Sequence, residues 1–214
     1  MIDSNIYKID KLIDLNVSRE TLKDLEDYTK SIILKNKTIN LISKSTEKLI
    51  KQRHIEDSAQ TIEFINKKDI KICTDSGSGA GLPGIVLSIL MKRKKPVFKL
   101  IIYEKSYHKS IFLKEMVEKF NLNAEIHRKN IFNEENLITD VIISRAFKPL
   151  PIIFQIAQNN FKNFKYIILF LGKSGKKILD DALKSWTFDY DEKKSLTSQK
   201  SVIVKISNLR KKNV

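Results

Sequence analysis

The residues best suited to chemistry lie in one segment, Asp75-Ser76-Gly77-Ser78-Gly79-Ala80-Gly81-Leu82-Pro83-Gly84. Glycines permit a tight turn and let backbone approach a ligand with no side chain between them. Gly79, Gly81 and Gly84 satisfy the G-x-G-x-x-G spacing of dinucleotide loops, yet Asp75 and Gly77 come before them. An acid opening the loop would repel a pyrophosphate and attract a ligand with cationic groups. S-adenosylmethionine carries two, an ammonium and a sulfonium. Asp75, Gly77, Ser78 and Gly79 are therefore read as cofactor-binding. Glu104 follows Gly84 at the distance expected of a carboxylate that accepts hydrogen bonds from both ribose hydroxyls of an adenosine. Taken alone, Asp75 reads equally as a solvated loop acid and Glu104 as a surface acid; their strand–loop–helix context favours a site.

Such a loop needs a strand before it and a helix after it. Ile70 to Thr74 reads as the strand and Leu82 to Met91 as the helix, with Pro83 tolerated in its first turn. Strands follow at Val97 to Tyr103, Ala124 to His127, Val141 to Ser144 and Tyr166 to Leu171. Helices lie between them at Lys105 to Phe120 and Pro149 to Asn160, and beyond them at Gly175 to Lys184. Phe188 to Asp191 and Val202 to Ile206, with no helix between, suggest an antiparallel edge hairpin. This alternation predicts an α/β fold with a mostly parallel sheet covered by helices. The first seventy residues read as helical. Ser18 caps a helix with Leu22, Leu25, Tyr28, Ile32 and Ile33 on one face, and Thr46 is expected to cap another. The division is residues 1–68 as an N-terminal helical extension and 69–214 as the α/β domain.

Of the 214 residues 42% are hydrophobic, enough for a core, and no apolar run reaches membrane-spanning length. Met1 to Lys11 has no apolar signal core, so the cytoplasm is the expected compartment. The single cysteine, Cys73, excludes a disulfide framework, and three histidines without ligand spacing argue against a metal. A net charge of +15 suits a nucleic-acid partner. AT-rich coding would raise Lys, Ile and Asn equally well. Lys92-Arg93-Lys94-Lys95 and Arg210-Lys211-Lys212 read both as phosphate contacts and as solubilising faces.

The glycine segment, Asn36-Lys37 with Asn40-Leu41, Arg53-His54-x-x-Asp57-Ser58 and Ser144-Arg145-Ala146-Phe147 occur in an order and spacing that resembles the RsmG (GidB) family. Those bacterial enzymes methylate guanine N7 in 16S ribosomal RNA. The resemblance runs over about residues 30 to 175. It implies a Rossmann-like class I methyltransferase using S-adenosylmethionine, with 16S rRNA or the small ribosomal subunit as partner, acting as a monomer. By resemblance, Gly77 and Leu82 line the cofactor pocket, Lys129 and Asn130 flank the adenine, and Glu104 holds the ribose. Asn130 stands where the family often has Glu, Lys35 where an aromatic is usual, and Leu171 to Gly175 only approximates the family's Leu-Lys-Gly.

Arg145 has three readings: a clamp on the cofactor carboxylate, a contact to substrate, or a structural ion pair. Asn36, Lys37, Asn40, Arg53 and His54 are assigned to orienting substrate RNA, although His54 reads first as a packed, hydrogen-bonded group. Two other functions stay open. One is a nicotinamide-dependent oxidoreductase, on the strength of the G-x-G-x-x-G match. The other is a non-catalytic RNA-binding protein on a methyltransferase-like fold.

Overall fold

The computed structural model describes residues 17–198 and 201–212; the reading of Met1 to Lys11 lies outside them. Helix α1 (Arg19–Asn36) begins where expected, Ser18 Oγ accepting the Thr21 N–H. Its Leu25, Tyr28 and Ile32 are fully buried. The next stretch is broken into pieces: α2 (Lys44–Glu47), a π-helical segment (Lys51–Glu56), α3 (Asp57–Ala59) and α4 (Ile62–Ile65). Ser43, not Thr46, occupies the N-cap position of α2. Thr46 lies inside that helix, its hydroxyl turned back on the Ser43 carbonyl at 3.0 Å.

The α/β part runs β1 (Ile72–Ser76), α5 (Gly84–Lys94), β2 (Lys99–Tyr103), α6 (Tyr107–Lys119) and β3 (Ala124–His127). It continues β4 (Leu137–Ile138), β5 (Val141–Arg145), α7 (Leu150–Asn160), β6 (Phe161–Asn163), β7 (Tyr166–Leu171), α8 (Gly175–Ala182), β8 (Trp186–Lys194) and β9 (Val202–Lys211). Seven strands form the main sheet in the order β3-β2-β1-β5-β7-β9-β8, while β4 and β6 make a small separate pair. The first five are parallel, and β9 joins β7 antiparallel and pairs with β8 as the edge hairpin. Pro83 precedes α5 rather than opening it, since the helix starts at Gly84.

Chain direction sets the site. After β1 the chain moves outward to β2 and β3, then returns to lay β5 on the other side of β1. That reversal leaves a crevice beyond the carboxyl ends of β1 and β5, where α/β sheets bind ligands. The N-terminal helices share one apolar core with the sheet, Leu25, Tyr28, Ile32 and Ile55 joining Ile85, Ile89 and Leu100. Tyr28 also donates its hydroxyl to the Ala80 carbonyl at 2.5 Å, fixing α1 against the glycine turn.

Candidate cofactor and substrate site

The glycine turn connects β1 to α5 through three left-handed residues, Gly77 (φ +71°), Gly79 (φ +60°) and Gly81 (φ +88°). Beside it lies a cavity of about 530 Å³. Gly77, Ser78, Gly79, Leu82, Glu104, Lys129, Asn130, Arg145 and His54 all line it. The expected cofactor residues other than Asp75 are thus brought to one place. A Cβ added to Gly79 would meet nothing within 4 Å, so the turn presents bare backbone to open space there. A Cβ on Gly77 would lie 2.0 Å from Phe147 Cδ2, so the shelf is covered at that point by a side chain.

Glu104 sits at the carboxyl end of β2 and is mostly buried. Its Oε2 accepts the Gly79 N–H at 3.0 Å and its Oε1 the Ser106 N–H at 2.8 Å. The carboxylate thereby anchors the turn while remaining in the cavity wall. Asn130 follows β3, its side-chain oxygen accepting the Phe132 N–H at 3.4 Å. Lys129 pairs with Glu134 at 2.9 Å.

Asp75 differs from expectation. It is the penultimate residue of β1 rather than the first of the loop, is fully buried and does not line the cavity. Its Oδ2 accepts the Ser78 hydroxyl at 2.6 Å and the Gly84 N–H at 2.9 Å, while Oδ1 has no partner. It closes the turn from beneath instead of meeting a ligand's ammonium. Burial pushes its pKa up to about 6 against the pull of those hydrogen bonds, with Glu104 adding repulsion. The unfolded chain loses this proton near the ordinary value of 3.8. The folded state therefore holds the extra proton between these two values, and stability falls as pH rises from about 4 through 6. The full effect is on the order of 3 kcal/mol. Asp75→Asn should flatten this slope in urea unfolding between pH 4 and 7; an identical slope in both proteins would contradict the assignment.

Arg145 ends β5, and its geometry matches the ion-pair reading. It meets Asp57 Oδ2 at 3.3 Å, donates to Ser58 Oγ at 3.3 Å and the His54 carbonyl at 3.4 Å, and also bonds the Arg53 carbonyl. Its guanidinium lies 5.3 Å from the Phe170 ring centroid. Asp57 in turn accepts the Ser195 hydroxyl at 2.8 Å and the Thr197 hydroxyl at 3.1 Å. The pair thus ties the π-helical segment to β5 and to the tip of the β8–β9 hairpin. A second hollow of about 170 Å³ lies there, sharing Arg145 and Ala146 with the first and reaching Arg53 and Thr197.

The residues assigned to RNA divide. Asn36 is a backbone clamp: its oxygen accepts the Leu41 and Ile42 N–H groups at 2.9 and 3.0 Å, and its amide donates to Glu47 at 2.7 Å. His54 Nε2 bonds the Thr46 hydroxyl at 2.9 Å. Burial, then Arg145 and Arg53, lowers the His54 pKa to about 4, so it is neutral at pH 7. Lys37, Asn40 and Arg53 are exposed. The run at Lys92 to Lys95 serves internal contacts: Lys92 donates to the Phe120 carbonyl at 2.5 Å and Arg93 pairs with Asp24 at 3.1 Å. Lys105, Lys109 and Lys148, which no motif marked, also stand in the cavity wall. Among the described residues neither Lys105 nor Lys109 has an ion-pair partner. The described residues hold no group of three or more His, Cys, Asp or Glu able to hold a metal, and no helix long and apolar enough to cross a membrane.

This strand order, with a glycine turn after β1 and a buried acid after β2, defines a class I methyltransferase. A solved human methyltransferase 10 domain containing protein shares the fold at TM-score 0.53, covering 70% of this chain and 79% of its own, at 14% identity. The chain belongs to the rRNA small subunit methyltransferase G (GidB) family, whose model matches residues 21–207. The ribosomal RNA small subunit methyltransferase G of Pelagibacter ubique is 46% identical over 92% of this chain and 93% of its own. That of Ruegeria pomeroyi is 33% identical over 91% and 95%.

Proposed function

We propose that this chain transfers a methyl group from S-adenosylmethionine to N7 of a guanine in 16S ribosomal RNA. The observation carrying this reading is the cavity at the β1–β5 switch point, with the bare Gly79 backbone and the Glu104 carboxylate in its wall. Each Glu104 oxygen accepts one backbone N–H, leaving a further lone pair on each for the two ribose hydroxyls. Lys129 and Asn130, beyond β3, line the same cavity, which supports their assignment to the adenine. S-adenosylmethionine supplies a methyl group on a positively charged sulfur.

Guanine N7 has a free lone pair at neutral pH and needs no base to remove a proton. The polar groups fit that requirement. Asp75 is enclosed and hydrogen-bonded, and His54 is neutral and held by Thr46. Catalysis then rests on holding the base in line with the methyl group. Arg145 contributes by fixing the wall between cofactor and substrate sides. Lys37, Asn40 and Arg53 are the exposed residues of the motifs for RNA contact, with Asn36 and His54 shaping the segment that presents them. The protein works on 16S rRNA or the small subunit in the cytoplasm, as a monomer.

Calorimetric titration separates this from the dinucleotide reading. Saturable binding of S-adenosylhomocysteine and none of NADH is expected; the reverse would refute the cofactor assignment.

A further inference from the structure

The Ser144-Arg145-Ala146-Phe147 segment ends in an aromatic residue that the cofactor site leaves unused. Among the described residues, four non-glycine positions have positive φ, and three are Asn121, Asn136 and Asn208. Asn tolerates this conformation because its short polar side chain bonds locally. The fourth is Ala146, at φ +51°, which has no such compensation. Strain of this kind gathers at functional sites. Here it turns the chain directly after Arg145 so that Phe147 enters the cavity wall and lies against Gly77.

Phe147 has an aromatic neighbour. Phe132 stands in the same wall, its ring centroid 6.3 Å away and inclined at 46°, and it remains 42% exposed. Lys148 Nζ lies 5.8 Å from the Phe132 centroid. The two rings are too close and too inclined to sandwich a base; they form a corner with one face and one edge. An exposed aromatic beside a cation, next to a cofactor shelf, is what splayed RNA bases stack upon.

We propose that Phe147 is the stacking face for the target guanine, with Phe132 bounding it and Lys148 meeting the flanking phosphate. The inference rests on the methyltransferase reading and names the substrate contact within it. During transfer the carbon–sulfur bond breaks as the N7–carbon bond forms, and the electron pair stays on sulfur. The base ends as an N7-methylguanine cation with no proton released. An aromatic face attracts that growing positive charge more than the neutral base. Phe147 would therefore favour the transition state over the ground state.

The test uses the full chain with small ribosomal subunits. Phe147→Leu keeps the apolar volume and removes the aromatic face. Its kcat/KM should fall roughly 5- to 150-fold, the range that loss of one base–aromatic stack gives. Phe147→Leu should lower kcat/KM further than it lowers affinity for S-adenosylhomocysteine, and Phe147→Tyr should restore most of the rate. The inference is overturned if Phe147→Leu keeps its rate, if cofactor affinity falls as far as activity does, or if Tyr does no better than Leu. If the wild-type protein transfers no methyl group, the parent reading fails on its own. The stack is then decided by saturation-transfer NMR of guanosine monophosphate with the protein loaded with S-adenosylhomocysteine. Wild type and Phe147→Tyr should give the base signal and Phe147→Leu should lose it; equal signals in all three would overturn the stack.

Discussion

Gly77→Val lowers affinity for S-adenosylhomocysteine by about 30-fold or more. Two costs combine. The φ of +71° is an outlier for a β-branched residue, costing about 1–2 kcal/mol even for a simple side chain. The new Cβ would also fall 2.0 Å from Phe147 Cδ2 and 2.5 Å from Cγ, an overlap that a few tenths of an ångström cannot relieve. Either the ring leaves the wall or the turn shifts, and the turn carries the Gly79 N–H held by Glu104. A turn that shifts this way costs about 1–3 kcal/mol more, and each 1.4 kcal/mol is about tenfold in affinity. From sequence, the same loss is expected because the side chain would fill the ligand's space; the structure puts the collision at Phe147 instead. Gly79→Ala is the companion: its Cβ meets nothing within 4 Å, so its cost is the left-handed φ of +60° and obstruction of the open face. Calorimetry alongside thermal unfolding checks both. Unchanged affinity in a folded Gly77→Val protein would remove the turn from the cofactor site.

Arg145→Ala destabilises the fold by about 3 kcal/mol, the low end for breaking a buried pair by removing one partner. The low end applies because Asp57 keeps the Ser195 and Thr197 hydroxyls as donors. The loss is still severe for a domain whose total stability is of the order of 5–15 kcal/mol. It also frees the Arg53 and His54 carbonyls, loosening the segment that carries Arg53 toward the RNA side. Urea unfolding at pH 7 measures it; a change below about 1 kcal/mol would mean the pair is no more than a surface contact.

What could be read from sequence followed local periodicity and motif order. Strands β3 and β7 begin and end at the expected residues, and Ser18 caps α1 through its own hydroxyl. The glycine turn and Glu104 were legible because both lie within one β–α–β unit of fixed length. What was hidden depended on partners far along the chain. Arg145 meets Asp57 only after the sheet has folded, and no spacing rule links them. Asn36 looks like a substrate-facing amide until the Leu41 and Ile42 N–H groups turn back onto it. Asp75 reads as a loop residue because strand β1 runs two residues beyond its expected end at Thr74, continued by a buried carboxylate. The helix expected after Thr46 is broken by a π-helical segment that a 3.6-residue period cannot register. Phe147 was visible as part of a motif, yet its direction comes from a left-handed alanine, which no residue type announces.

Methyl transfer to guanine N7 is open to direct measurement. Small ribosomal subunits lacking the modification are incubated with this protein and S-adenosylmethionine, and their 16S rRNA is mapped by mass spectrometry. A single new N7-methylguanine should appear, absent when protein or cofactor is withheld. Methylation at another atom or base, or none by protein that binds S-adenosylhomocysteine, would contradict it.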